Sequence, residues 1–139
     1  MAVVAPTGIA AIHVQGQTIH SLFGMKATLQ DVRDAKQVQL SPRYADVLRA
    51  IDTLVIDEIS MVRADVMDMM DHKLRLAKRR PGVPFGGVQV IAFGDLFQLP
   101  PVTGKENVAD AFLRSRYDSI FFFSAPAVKQ SPFRLIELH

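Results

Sequence analysis

The sequence predicts an α/β protein built on a parallel sheet, and three observations carry that prediction. Short apolar runs recur at "AVVA", "LVI" and "VQVIAF". The stretches between them place apolar residues at helical intervals. Each run then stops at polar or turn-forming residues, "PTG", "DEIS" and "GDLFQLPP". Open parallel sheets bind their ligands at that end of the strands.

Residues 2–5 form a buried strand closed by Pro6, and Thr7 caps a short helix in "TGIAAIHV". Residues 18–24, "TIHSLFG", give a second brief helical turn, and residues 26–42 are polar. Pro42 precedes "RYADVLRAI", whose Tyr44, Val47, Leu48 and Ile51 share one helical face. After "TLVIDEI" comes an amphipathic helix from Met61 to Arg80, with Val62, Val66, Met69, Met70 and Leu74 spaced by three and four. "RRPGVPFGG" breaks it, and "VQVIAFGD" is the next strand. Residues 106–116 read as helical, while "SIFFFS" and "FRLIELH" read as further strands around a short helix. No internal repeat is visible.

At 139 residues, with 49% hydrophobic and 22% charged residues, the chain suits one folded domain. No apolar run approaches the ~18 residues that span a bilayer. The absence of cysteine removes disulfides and thiolate zinc sites. A formal charge of +2 says little about polyanionic partners.

Asp57 and Glu58 carry the sharpest chemistry. Neighbours on a regular strand point to opposite faces, so two acids acting together must lie where the strand ends. An aspartate there suits Mg²⁺, which takes one or two carboxylates plus substrate phosphates. The glutamate can orient and deprotonate a water aimed at a terminal phosphorus. The bland reading has Asp57 capping the loop and Glu58 solvated. Gln98 offers both a donor and an acceptor on a loop stiffened by Pro100 and Pro101; it is either a phosphate sensor or surface polarity. Thr7, Gly8 and the amides of the helix behind them suit a phosphate, including one in a nucleic-acid backbone. His20 and Ser21 add donors, and Phe23 could stack on a base. Alone, Phe23 and Ile19 read as core and His20 as a structural group. Lys78, Arg79 and Arg80 read as a solvated helix end, and Met61, Met67, Met69 and Met70 as packing.

Taken together, "VVAPTGIAA…TIHSLFG", "LVIDEISMV", "PFGGVQVIAFGDLFQLPPV" and "FFFSAPAV…FRLIELH" resemble the first motor domain of the PIF family of DNA helicases, RecD-related members of superfamily 1B. The likeness runs through nearly the whole chain in order. It implies a RecA-like P-loop NTPase sheet with helices on both faces, and residues 1–139 as a partial motor domain. It also implies ATP-driven 5′-to-3′ movement on single-stranded DNA, with ATP and Mg²⁺ as cofactors. Asp57 would hold the metal, Glu58 would be the base, and Gln98 would sense the γ-phosphate and share in catalysis. Pro6, Thr7 and Gly8, with His20, Ser21 and Phe23, would face the DNA strand. Family roles in DNA repair, recombination and telomere maintenance are implied, in the cytoplasm of a bacterium or the nucleus or mitochondrion of a eukaryote, with no membrane partner.

The chain departs from the family pattern in one respect. No G-x-x-x-x-G-K-[ST] loop occurs, and its Gly-Lys pair, Gly104-Lys105, is followed by Glu106. In the family that loop precedes the "APTGIAA" segment and a second motor domain follows "IEL". The expectation is therefore an interior piece of a helicase, lacking the phosphate-loop strand and helix, inactive as an ATPase by itself and left with an unpaired sheet edge. Three rivals remain open: a non-catalytic nucleic-acid-binding remnant, a RecD- or relaxase-type helicase segment, and a metal nuclease using Asp57, Glu58 and Asp95.

Overall fold

The computed structural model describes residues 1–103 and 107–139. The Gly104-Lys105-Glu106 segment, with the first residue of the helix expected at 106–116, lies outside the described residues.

Among the described residues the sheet has four parallel strands: β1 (Ala2–Ala5), β2 (Gln17–Thr18), β3 (Thr53–Ile56) and β4 (Gln89–Ala92), in the order β2-β1-β3-β4. Helix α1 (Gly8–His13) links β1 to β2. Helices α2 (Ile19–Phe23), α3 (Ala35–Val38) and α4 (Pro42–Arg49) lie between β2 and β3. Helix α5 (Ala64–Lys78) links β3 to β4, and α6 (Asn107–Arg116) and α7 (Pro126–Gln130) follow.

Chain order reverses direction at β1, since β2 lies on one side of it and β3 on the other. Right-handed crossovers therefore put α1 on one face and the helices after β2 on the opposite one. The register agrees. Val4 pairs with Ile56 and Ile56 with Ala92, and these residues belong to the main core. Val3, Val55 and Ile91 form the alternate row. Val3 and Val55 are only partly buried and Ile91 is exposed, on the face that α1 covers.

The main core collects Phe23, Leu48, Leu54, Met67, Met70 and Leu74, all fully buried. The methionines of α5 pack, as their spacing implied. Helix α5 also buries Asp65, Asp68, Asp71 and Lys73, so its polar face is not a solvated one. Lys73 Nζ donates to the Phe23 carbonyl at 3.1 Å, and burial lowers its pKa. The basic helix end is likewise tied down: Lys78 Nζ donates to the Arg49 carbonyl at 2.6 Å. Arg79, with φ of 55°, ends the helix in the left-handed region.

Two expected strands fail. Residues 119–124 contribute only a single antiparallel bridge, Arg63 to Phe121, followed by a 3-10 turn at Phe122–Ser124. "FRLIELH" is unpaired, with Leu135, Ile136 and Leu138 exposed. Neither segment's backbone finds a strand partner among the described residues. Among the described residues β4 pairs only with β3, so its outer edge is open and no strand bridges it to the terminal segment.

One close approach fixes the α1–β2 turn. A Cβ on Gly16 would lie 2.3 Å from the Val3 carbonyl oxygen. Gly16→Ala is expected to lower stability by about 1–3 kcal/mol through overpacking. Urea unfolding measures it, and an unchanged midpoint would contradict so tight a contact.

Candidate nucleotide and nucleic-acid site

The reversal at β1 makes the carboxyl ends of β1 and β3 a topological switch point, the place where open α/β sheets form a ligand crevice. Pro6-Thr7-Gly8 leaves one side of it and Asp57-Glu58 the other.

The acid pair is shaped by its backbone. The Asp57 amide donates to the Val4 carbonyl at 2.9 Å, extending the ladder one residue past β3. Glu58 then adopts φ 52°, ψ 45°. A non-glycine residue in that region carries strain of about 1–2 kcal/mol. This turn ends the alternation of a strand, so the two neighbouring carboxylates need not point to opposite faces. Both are half-buried. The Glu58 carbonyl accepts from the Met61 amide at 3.0 Å, starting a 3-10 turn at Ile59–Met61 ahead of α5. Helix α5 thus begins at Ala64, three residues later than the sequence pattern implied.

The loop after β4 is rooted against that turn. The Phe93 amide donates to the Ile56 carbonyl at 2.8 Å, and the Ile59 amide donates to the Phe93 carbonyl at 2.9 Å. A Cβ on Gly94 would lie 2.9 Å from Ile59 Cγ2 and 3.3 Å from the Ser60 amide, so only glycine seats the loop there without displacement. Asp95 Oδ1 accepts from the Phe97 amide at 2.9 Å, and the Gln98 amide donates to the Asp95 carbonyl at 3.1 Å. This side-chain turn holds Gln98 exposed on the loop that leaves the same end of the sheet.

Ser60 escaped the sequence reading. It is buried, and its Oγ has no hydrogen-bond partner among the described residues. An orphaned hydroxyl two residues after the carboxylate pair agrees with a site that binds a polar ligand. The donor chemistry of Asp57 and Glu58, hard oxygen and partly accessible, fits Mg²⁺.

On the other side, Thr7 caps α1 by accepting from the Ala10 amide at 3.3 Å, and nothing crowds the position of a Cβ on Gly8. Thr18 caps α2 by accepting from the Ser21 amide at 3.2 Å, and exposed Ser21 donates to Gln17 Oε1 at 3.4 Å. Pro6, Thr7 and His20 line a cavity of about 190 Å³ with Met61, Arg63 and Val102. Gly8 and Ser21 flank it without lining it. The His20 pKa is lowered, first by burial and then by Arg63, against an opposing pull from Asp65. Phe23 corrects the sequence expectation: it is wholly buried in the main core and has no face to offer a base. Its ring sits on the inner side of α2, where the helical period puts it beside Ile19 and Leu22.

Arg63 was also missed, although it stands directly after "DEISMV". It donates to both oxygens of Asp65, at 2.9 and 3.0 Å, and to the Thr28 carbonyl at 3.2 Å. Asp65 Oδ2 also accepts from the Gln30 amide at 2.7 Å, which anchors the polar 26–31 segment. Among the described residues, the acid–histidine group close enough to share an ion is Asp68, Asp71 and His72, not Asp57, Glu58 and Asp95. The nuclease rival therefore lacks its cluster.

A family model for PIF1-like helicases matches residues 1–124. The ATP-dependent DNA helicase PIF5 of Trypanosoma brucei brucei is 46% identical over 106 residues, covering 76% of this chain and 11% of that protein. Saccharomyces cerevisiae PIF1 is 42% identical over 108 residues, 77% of this chain and 12% of the relative. Among solved structures, Bacteroides Pif1 in complex with ADP-AlF3 and single-stranded DNA superposes with a TM-score of 0.89 at 47% identity, over 99% of this chain and 31% of that one. The Candida albicans helicase superposes at 0.72 with 32% identity, over 96% of this chain and 28% of its own. The chain thus spans only a small part of the relatives it matches. With the parallel sheet, the left-handed acid turn and the "GDLFQLPP" loop all in place, the chain belongs to the PIF1-like helicase family.

Proposed function

We propose that these residues form part of an ATP-dependent DNA helicase motor moving 5′ to 3′ on single-stranded DNA, with Mg-nucleotide on one side of the β1/β3 switch point and the DNA strand on the other. One observation carries this reading. The strained Glu58 turn sets two carboxylates at the carboxyl end of β3, while Pro6, Thr7 and His20 border a cavity that begins at Met61, three residues further on. Asp57 and Glu58 would hold the metal and a water, and Gln98 would touch the terminal phosphate. Bound Mg²⁺ supplies neutralisation of phosphate charge. The Bacteroides relative binds ADP-AlF3 and single-stranded DNA together, which supports both ligands. Roles in repair, recombination or telomere maintenance, and an intracellular location, are consistent with the helicase relatives and belong to this same proposal.

The DNA half is tested on the 139-residue chain with a labelled oligothymidylate in a salt series. Binding should weaken linearly in log–log form as salt rises. Thr7→Ala should reduce it several-fold. Thr7→Ser, which keeps both the hydroxyl and the α1 cap, should bind like the parent. Equal binding by the alanine variant, with its fold intact by circular dichroism, would remove Thr7 from the interface.

A further inference from the structure

Helix α5 carries a second polar cluster that the helicase reading does not use. Asp68, Asp71 and His72 stand at the i, i+3 and i+4 positions, one face of the helix. A ligand atom from each lies within 4.8 Å of the others. The cluster opens on a cavity of about 600 Å³ whose far walls come from α3, through Val38, and from α7, through Pro126 and Gln130.

The decisive observation is Asp68. Its side chain is buried, and Oδ2 accepts from the Tyr117 hydroxyl at 2.7 Å, but Oδ1 has no hydrogen-bond partner among the described residues. A buried carboxylate oxygen left without a donor is destabilising unless a cation or donor reaches it. Its nearest polar neighbour is His72, whose Nδ1 bonds the Asp68 backbone carbonyl at 3.0 Å and lies 3.3 Å from Oδ1, an ion-pair contact when the imidazole is charged. Asp71 keeps Oδ1 for Arg75 Nε at 2.8 Å and the Phe85 amide at 2.6 Å, and its Oδ2 faces His72 Nδ1 at 3.8 Å.

We propose that Asp68 Oδ1, Asp71 Oδ2 and the His72 imidazole form a binding site for a borderline first-row divalent cation of the Zn²⁺ or Co²⁺ type. Two hard oxygens and one imidazole suit that class better than Ca²⁺ or Mg²⁺, which prefer oxygen throughout. Binding requires a ring nitrogen free of its proton: His72 Nδ1 would give up its bond to the Asp68 carbonyl, any proton on it passing to water, and turn its lone pair to the ion, while water completes the coordination from the cavity. The half-exposed imidazole has the freedom to turn. Such an ion would tie the middle of α5 to the loop that Asp71 holds at Phe85, and this site stands or falls independently of the helicase proposal.

Calorimetric titration of the chain with Zn²⁺, and with Co²⁺ as a visible-absorption probe, tests the assignment. Saturable binding with a raised melting temperature is expected. Loss of a ligand in His72→Ala should weaken affinity at least ~10-fold and abolish the melting shift, whereas His13→Ala, at an exposed histidine elsewhere, should change neither. Asp68→Asn should behave like His72→Ala. If that core variant does not fold, the solvent-facing His72→Ala still decides the matter. Equal binding by parent and His72→Ala, or no saturable binding by the parent up to ~1 mM metal, overturns the proposal.

Discussion

Replacing Glu58 with glutamine is expected to reduce ATP hydrolysis roughly a hundred- to ten-thousand-fold in any longer polypeptide that carries this segment together with a phosphate loop, the usual contribution of a positioned general base. Nucleotide and DNA binding should survive, because glutamine keeps the size and hydrogen-bonding reach of the side chain while losing the basic oxygen. The backbone makes the test clean. Glu58 sits at φ 52° and accepts from the Met61 amide through its main chain, so the turn does not depend on the carboxylate. The 139 residues alone, which contain no G-x-x-x-x-G-K-[ST] loop, should release no phosphate in either form. Single-turnover phosphate release, read beside nucleotide binding, separates a base from a mere ligand. A Glu58→Gln protein that still hydrolyses ATP at the parental rate would show that the water is activated elsewhere.

The largest structural effect is expected at Asp65. Its carboxylate is fully buried and accepts from Arg63 twice and from the Gln30 amide once. Asp65→Ala would leave the largely buried Arg63 guanidinium without its counter-charge and free the Gln30 amide. Breaking such a pair from one side costs about 3–5 kcal/mol, far more than a surface ion pair. It should also loosen residues 26–31, which depend on that amide bond for anchorage, and change the wall that Arg63 gives the cavity beside Pro6, Thr7 and His20. Chemical unfolding gives the first number, and hydrogen exchange at the Gln30 amide gives the second. A loss below about 1 kcal/mol would mean the pair is screened rather than buried.

The strands that were legible are the ones whose apolar residues meet partners within the chain. β1, β3 and β4 lie side by side in register, and their β-branched pattern announced them. "SIFFFS" and "FRLIELH" are also apolar, but among the described residues they meet no strand beyond the single Arg63–Phe121 bridge, and they do not form strands. The same limit explains Phe23: its composition allowed either stacking on a base or burial, and only the packing of α2 against the core chose burial. Arg63 and Ser60 were invisible for a related cause. One matters through Asp65, Thr28 and the cavity wall, the other through an absence of partners, and neither relation is a local property of sequence.

From the amino-acid order alone came the parallel sheet, the acid pair at the end of β3, the polar loop after β4 and the family they point to. The first three follow from periodicity and from residue chemistry, which are local, and the family from the resemblance of the motifs those segments carry. The tertiary structure alone decided that strand order reverses at β1, and that Glu58 turns left-handed at the end of β3. It also decided that α5 hides three aspartates inside the molecule. Each of those depends on which distant residues supply hydrogen bonds and exclude water, and no short stretch of chain specifies its own neighbours.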